Sequence, residues 1–357
     1  SQVDDIFAAK LDMNGNWIWT TTISGQDNGS SARTVIDCDG NYYIVGGCDN
    51  NTTEFTNADG SLSAVIYGPG IYIGKLSPNG FWIWTAYIGG DGGEHANGVT
   101  VSNCGELYVV GQYGNALGFI NSNGASTVWL ASPPNSNDGI VAKIDVNGFW
   151  QWAVTLSWQA GSFIDVNDVI TDSKENIYII GSYGNQITLN NSDTSVGIVL
   201  ADAPNAGRSI IAKLSPSGFW EYAAKIEGGV YNTSIDIDSH SNIYTTGSYT
   251  INPVTLYNTD GLVGLQKSGF VAGNYVARLR STITNIIGFL KETVETGNVG
   301  TVCFPGGVIL ENSFDDLVQG YYYYADCHCR LSTCYKCNIQ FLGLALTPNK
   351  LLTGVEI

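Results

Sequence analysis

Short apolar and aromatic runs alternate with turns rich in Gly, Asn, Asp and Ser along the first 280 residues of this chain. The runs are rich in β-branched and aromatic side chains, which is the pattern of β-strands. Asn-Gly pairs at 14–15, 79–80 and 147–148 lie between two such runs and predict β-hairpins. Residues 283–296 are the nearest candidate for a helix, and their Thr, Val and Ile content favours a strand equally. The pattern therefore predicts an all-β protein.

The strand pattern repeats as a cassette of 65 to 70 residues. Its first half starts at an Ala-Lys-Leu strand or a close variant of it and ends at a pair of aromatic residues two apart. Copies of this half span residues 9–19, 74–84, 142–152 and 212–222, with a partial fifth copy at 277–280. The second half, a turn followed by Tyr and Gly, spans 39–46, 104–111, 174–181 and 240–247. Such regular self-similarity indicates one supersecondary unit stacked on itself.

Four antiparallel strands per cassette predict the blade of a β-propeller. Residues two apart on a strand share a face, so both rings of each Trp pair are expected on one face and in the core. The pairs are Trp17/Trp19, Trp82/Trp84 and Trp150/Trp152. The polar segments 47–70, 112–137, 182–207 and 248–273 are expected to form long loops or added hairpins on the blade edges.

The cassette resembles the SBBP-type propeller repeats found in giant viruses related to mimivirus, over roughly residues 4–280. The Ala-Lys-Leu strand occurs five times and the other strands four times, so we expect four to five blades within a domain spanning 1–281. The expected repeats span 6–76, 77–144, 145–215 and 216–280. The chain starts at Ser1 and its only methionine is Met13, so we expect that an upstream segment was removed.

Residues 282–357 lack the cassette and are expected to form a small cysteine-containing β module. The segments Leu317–Asp326 and Phe341–Leu352 resemble a module that ends phage tail-fibre-like and giant-virus surface proteins. A cysteine-rich insert replaces the short turn of that module. The resemblance implies assembly or surface display and no chemistry.

Eight cysteines leave alternatives open. Cys38 and Cys48 flank one predicted hairpin and are candidates for a disulfide. In the tail the candidates are Cys327, Cys329, Cys334 and Cys337. Two disulfides are favoured there, because the even count suits an oxidising compartment. A tetrahedral zinc site formed by the same four thiolates, and reduced thiols, remain as alternatives.

Asn-X-Ser/Thr sequons mark candidate glycosylation sites. They occur at Asn28, Asn50, Asn51, Asn190 and Asn232, mostly in the predicted loops. Unmodified polar loops are the alternative interpretation, since such sequons arise by chance in chains rich in Asn, Ser and Thr.

The net charge of −17 excludes nucleic acid as an expected partner, because the chain would repel phosphates. No apolar run reaches the length of a membrane-spanning helix. No phosphate-binding loop, nucleophile elbow or HExxH motif occurs. Isolated His95, His240 and His328 are expected to be solvated rather than catalytic, and no resident metal or other cofactor is expected.

The sequence and its resemblances together predict a structural protein on the virion surface or in a fibre of a giant virus. Its expected partners are other copies of itself, other virion proteins and host-surface glycans. The alternative is a secreted lectin-like propeller that binds glycans through ring side chains of its loop segments. Those rings are Tyr67, Tyr72, Tyr113, Trp129, Tyr183 and Tyr257. An enzyme acting on polysaccharides is the third hypothesis and requires converging carboxylates.

Overall fold

The computed structural model describes most of the chain in two compact units. One unit consists of residues 1–237 and 243–278, and the other of 238–242 and 279–357. The described residues are 5–25, 33–48, 52–90, 94–114, 116–130, 138–158, 163–200, 208–238, 241–250, 253–267, 273–279 and seven short strands between 289 and 352. Every regular element among them is a strand, which confirms the all-β prediction.

Five antiparallel sheets make up the first unit. Sheet I contains, from one edge to the other, β1 (Ile6–Leu11), β2 (Trp17–Ser24), β5 (Thr53–Thr56) and β6 (Leu62–Ile66). Sheet II runs in the order β3 (Arg33–Ile36), β4 (Tyr42–Cys48), β7 (Gly70–Leu76), β8 (Trp82–Gly89), β11 (Leu117–Ile120) and β12 (Ser126–Leu130). Sheet III runs in the order β9 (His95–Val101), β10 (Leu107–Tyr113), β13 (Asp138–Ile144), β14 (Trp150–Trp158), β17 (Ile187–Asn190) and β18 (Val196–Leu200). Sheet IV runs in the order β15 (Ile164–Thr171), β16 (Ile177–Tyr183), β19 (Arg208–Leu214), β20 (Trp220–Glu227), β23 (Val254–Tyr257) and β24 (Val263–Lys267). Sheet V contains β21 (Val230–Ile237), β22 (Ile243–Tyr249) and β25 (Gly273–Leu279).

The polar segments of the cassette form hairpins, and each hairpin joins the sheet before its own. Strands β5 and β6 lie in the chain between β4 and β7 of sheet II, yet β5 pairs with β2 of sheet I. The same exchange places β11–β12, β17–β18 and β23–β24 on the outer edges of sheets II, III and IV. A complete sheet therefore has six strands rather than the four expected. Its strands come from two consecutive repeats, so neighbouring sheets are interlocked.

The hairpins share one turn, which spans five residues. The amide of its first residue donates to the fifth carbonyl, and the amide of its fourth residue donates back to the first carbonyl. These turns start at Asp12, Asp37, Asn57, Ser77, Ser102, Asn121, Asp145, Asp172, Asn191, Ser215, Asp238 and Asn258. The fourth position has positive φ in all twelve turns and is Gly in nine of them. Asp, Asn and Ser suit the first position because their side chains accept amide hydrogen bonds within the turn.

Consecutive sheets pack face to face, as propeller blades do. We call the apolar layers between them seams. One cluster of buried side chains fills the seam between sheets I and II and includes Phe55 and Tyr72. Two more clusters fill the seams between II and III and between III and IV. The innermost strands of sheets II to V also contact one another in order. The number of blades stays a prediction.

The two rings of each Trp pair lie on opposite faces, so the expectation of a shared face was wrong. Leu76 pairs with Trp82 and the adjacent Lys75 pairs with Trp84, which leaves Ile83 as a one-residue bulge. The bulge breaks the two-residue alternation of the strand. Sheets I, III and IV have the same bulge at the equivalent position.

The second unit contains two small antiparallel sheets in its described part. One consists of β26 (Phe289–Leu290), β27 (Val299–Cys303) and β28 (Ile309–Ser313). The other runs in the order β30 (Leu331–Ser332), β29 (Tyr322–Ala325), β31 (Gln340–Thr347) and β32 (Lys350–Leu352). The four tail cysteines proposed for disulfides or zinc lie outside the described residues. A search of the described residues finds no helix that is long and apolar enough to cross a membrane.

Candidate functional site

The seams are held together by Trp side chains that bind the sheets on either side. In sheet II, Trp82 packs edge-to-face on Phe55 of sheet I and its Nε1 donates to the Thr56 carbonyl at 3.1 Å. Trp84 faces the other way, and its Nε1 donates to the Val146 carbonyl of the next repeat at 3.0 Å. Each Trp pair of a complete sheet therefore connects three sheets.

The Trp contacts recur at the other seams. Trp150 and Trp220 donate from Nε1 to carbonyls of the preceding outer hairpin, at Ile120 and Asn190. Trp19 and Trp152 donate forward, to the carbonyls of Pro78 and Pro216. The period of the cassette is thus the period of these inter-sheet bonds.

Turns of neighbouring sheets also dock on each other. Asn121, at the start of an outer hairpin turn, accepts the Trp150 amide at 2.9 Å, and the Ser122 amide donates to the Gly148 carbonyl. A Cβ atom at Gly148 would lie 2.7 Å from the Ser122 Cβ and 3.0 Å from the Trp84 ring. Gly148 is needed in this turn both for its positive φ and for this close approach.

A row formed by a Tyr, a Lys and a carboxylate crosses each complete sheet beside the Trp pair. In sheet II, the Nζ atom of Lys75 lies 3.6 Å from Asp37 and 5.1 Å from the centre of the Tyr43 ring. All three side chains are buried. Burial raises the pKa of the Asp37 carboxyl, but hydrogen bonds from Asn41 and the charge of Lys75 outweigh it and hold that pKa below its usual value. The row is therefore a buried, compensated ion pair.

Sheet III has the same row of Tyr, Lys and carboxylate, but two carboxylates, those of Glu106 and Glu175, lie near its tyrosine. Lys143 lies 2.5 Å from Glu106 and over the Tyr108 ring. Burial and the charges of Glu106 and Glu175 raise the pKa of the Tyr108 phenol. Both carboxylate oxygens of Glu175 are buried and accept no hydrogen bond, and its φ is +65°. Glu175 is thus a strained position at the seam between sheets III and IV.

The innermost strands form a second polar layer. Bulges in β9 and β15 leave Asn97 and Asn167 as extra residues. Asn97 Nδ2 donates to Asp165 Oδ1 and to the Val166 carbonyl, both at 3.0 Å. Asn167 Nδ2 donates to the Asn232 carbonyl at 2.7 Å. These amides connect one innermost strand to the next, which gives them a structural task.

Asp165 and His95 are titratable groups of the innermost strands. Burial raises the pKa of the Asp165 carboxyl, against the opposing effects of the Asn97 hydrogen bond and the His95 charge. His95 is exposed at the start of β9. A search of the described residues finds no group of three His, Cys, Asp or Glu side chains that could hold a metal ion.

A groove of about 560 Å³ opens beside the Trp pair of sheet II. Its lining includes Trp82, Trp84 and the exposed Ile83, together with Ser63 and Asn147. Flat rings next to amide and hydroxyl groups can hold a sugar ring by stacking and hydrogen bonding. The sequence did not predict this groove, because the register of the repeat favoured the core over sugar stacking for the Trp pairs.

The ring side chains predicted for glycan binding are mostly placed elsewhere. Tyr72, Tyr113 and Tyr183 are buried, so that prediction was wrong for all three. Tyr67 is exposed, and Tyr257 donates from its hydroxyl to Glu227. Strand alternation explains the error, because these tyrosines lie in or beside strands that face a seam. The side chain of Trp129 lies outside the described residues.

The disulfide proposed between Cys38 and Cys48 does not fit the fold. Cys38 lies in the turn before β4 and Cys48 is the last residue of β4. A strand rises about 3.3 Å per residue, whereas a disulfide needs Cα atoms within about 7 Å. Cys48 instead packs in the seam and donates from Sγ toward the carbonyls of Gly68 and Gly70.

The candidate glycosylation sites fall into three groups. Asn28, Asn50 and Asn51 lie outside the described residues. Asn190 is half-buried, and its amide donates to Thr155 and Ser157. Asn232 is buried, its side-chain Oδ1 accepts a hydrogen bond from the Tyr275 hydroxyl, and its Nδ2 donates to the Ile210 carbonyl. The prediction at Asn232 is wrong for the folded chain, because a glycan has no path to that amide.

Comparison with known proteins points to one viral relative. The chain is 25% identical over 309 residues to an uncharacterized WD repeat-containing protein of Acanthamoeba polyphaga mimivirus. The chain resembles a repeat protein of a giant virus. The match covers 72% of this chain but 22% of the relative, so this chain spans about a fifth of the relative's length. No protein-family profile matches the chain.

Similarity to solved structures is slight. Virginiamycin B lyase from Staphylococcus aureus overlaps 84% of this chain and 96% of its own, with a TM-score of 0.26 and 9% identity. A protein of unknown function from Bacteroides caccae overlaps 56% of this chain and 90% of its own, with a TM-score of 0.20 and 10% identity. At these TM-scores neither overlap carries an argument about function.

Proposed function

We propose that this chain is a non-catalytic structural protein of a giant virus, located on the virion surface or in a fibre, where it serves particle assembly. The observation that carries the proposal is the interlocked repeat. Each complete sheet borrows its outer hairpin from the next repeat, and in sheets II and III a Trp pair is bonded to both neighbouring sheets. Such an array suits a stiff, repetitive scaffold whose units depend on their neighbours.

Two further observations support the structural role. Polar side chains of the described innermost strands are engaged in bonds between sheets, as Asn97 and Asn167 show. Turn carboxylates such as Asp145 and Asp172 accept amides of their own turns. The similarity to a mimivirus repeat protein supplies the viral context.

The test is immunogold electron microscopy of particles of the virus that encodes this chain, using antibodies against residues of unit 1. We expect regular labelling of the particle surface or its fibres, and recovery of the chain from purified, protease-washed particles. Labelling confined to infected-cell compartments, with particles unlabelled, would overturn the proposal. Purified particles of an unrelated virus provide the control for antibody specificity.

Glycan binding is the second candidate function, and the groove beside Trp84 favours it. The amide of Asn147 and the hydroxyl of Ser63 line the groove and can bond sugar hydroxyls. A glycan array followed by calorimetry on the Asn147→Ala and Ser63→Ala variants tests it. Loss of binding in these variants, with Asn14→Ala at the equivalent turn position of the first repeat as the control, supports the role. Absence of any bound glycan contradicts it.

A further inference from the structure

Among the described residues, the outermost strand of each sheet with an outer hairpin has no strand paired along its outer side. We call β6, β12, β18 and β24 the rim strands. Each pairs with the other strand of its own hairpin and ends the strand order of its sheet. An edge strand carries a row of backbone amides and carbonyls that can pair with another chain.

Three of the rim strands, β6, β18 and β24, also expose apolar side chains. Leu62, Val196, Val199, Val263 and Leu265 are each 47 to 62% exposed. Natural edge strands are usually blunted by charged residues, Pro or bulges. The rim strands contain no Pro, and a bulge near their start is followed by three residues that continue the strand, such as 198–200.

The distribution of charge sets the rim strands apart from the rest of the chain. The net charge is −17, yet the four rim strands contain no Asp or Glu and a single Lys, Lys267. Copies of so acidic a chain repel each other across most of their surface. Where two rims meet, this repulsion is locally smallest and apolar side chains can be buried.

We propose that copies of this chain associate through their rim strands, which pair edge to edge in antiparallel fashion. The partner is a second copy, because an uncharged rim lacks the opposite charge that would select a basic partner. This inference rests on the proposed structural function and names its assembly surface. Several rims at regular intervals let weak contacts between two copies add.

The test is sedimentation velocity on the full chain at concentrations up to about 100 μM, a range that detects weak interfaces. The rim variant carries Val196→Lys, Val199→Lys, Val263→Lys and Leu265→Lys. The matched control carries Met13→Lys, Ile18→Lys, Ile83→Lys and Val146→Lys, all at exposed apolar positions outside the rim. Both variants change the net charge equally. Circular dichroism and melting verify that each one folds.

We expect the parent chain and the control to self-associate as concentration rises, and the rim variant to stay monomeric. Hydrogen exchange at β18 should slow in the associated form, because pairing protects edge amides. A monomeric parent chain, or equal loss of association in both variants, would overturn the inference. A negative sedimentation result with positive particle labelling would leave the structural function standing and remove its rim surface.

Discussion

The seams and the rim strands contain the same apolar residue types, but these are buried in the seams and exposed on the rim. Both are rich in Val, Ile and Leu. Side chains such as Val154 and Ile179 are nearly inaccessible in a seam, whereas Val196 and Leu265 are exposed on the rim. Apolar composition therefore does not separate the core from the exposed edge strands in this fold. Position within the six-stranded sheet does, because seams form between sheet faces and the rim lies at the last strand.

The largest expected effect comes from breaking a seam. Trp150→Ala removes a ring that is 5% exposed, packs on Phe119 and donates to the Ile120 carbonyl. Replacing a buried aromatic residue with Ala lowers the free energy of unfolding by about 3 to 5 kcal/mol. Urea denaturation, monitored by Trp fluorescence and circular dichroism, measures the change in the free energy of unfolding.

Trp17→Ala is the matched control, since Trp17 holds the same position in the first repeat and is 67% exposed. We expect a change within about 0.5 kcal/mol, as for other surface substitutions. Equal losses in the two variants would show that the seam does not set the stability of unit 1.

The second effect tests the ion pair inside a sheet. Lys75→Met leaves the Asp37 carboxylate buried without its cation, and breaking a buried pair costs about 3 kcal/mol. Lys213→Met should cost less than about 1 kcal/mol, because its partner Glu221 is 42% exposed and can be solvated without the lysine. Adding Asp37→Asn to Lys75→Met should recover most of the loss. No recovery would mean that the Lys75 stem, rather than its charge, stabilises the sheet.

The sequence predicts the strands, the turns and the repeat well, since they depend on local patterns. Turns at Asn14-Gly15, Asn79-Gly80 and Asn147-Gly148 lie where the pairs predicted hairpins. The faces of the Trp pairs were not predictable from strict alternation, because the bulge at Ile83 interrupts it. The added hairpins were predicted, but the strands with which they pair were not. Pairing between repeats is non-local, and no sequence feature of β5 indicates that it pairs with β2.

Alkaline pH should destabilise the inner strands of the sheets through their buried tyrosines and leave the rim strands unaffected, since these contain no Tyr. Burial, together with the charges of Glu221 and Asp172, raises the pKa of Tyr222 to about 12. The unfolded value is about 10, and the neutral phenol is the form that the fold favours. This stabilisation is complete below about pH 10 and is lost as the pH rises to about 12.

Absorbance at 295 nm measures the ionisation of the tyrosines, and far-ultraviolet circular dichroism recorded together with it measures the loss of β-structure. We expect a late phase of phenol ionisation that coincides with loss of β-structure. Tyr222→Phe should move the alkaline unfolding midpoint upward, since one titrating group is removed. A midpoint that stays in place would show that Tyr222 ionises without unfolding the chain.

The smallest expected change in stability comes from one turn at the seam between sheets III and IV, the turn that contains Glu175. Glu175 has φ +65° and two buried carboxylate oxygens without hydrogen bonds, where the preceding sheet has Gly105. Positive φ costs a residue with a side chain about 1 kcal/mol, part of which Gly returns through its flexible unfolded state. Glu175→Gly should therefore raise the free energy of unfolding by about 1 kcal/mol, measured by urea denaturation. Gly105→Ala, at φ +79°, should lower it by a similar amount. If Glu175→Gly instead destabilises the chain, the Glu175 carboxylate stabilises the seam between sheets III and IV. The strain at this turn would then be smaller than the contribution of the side chain.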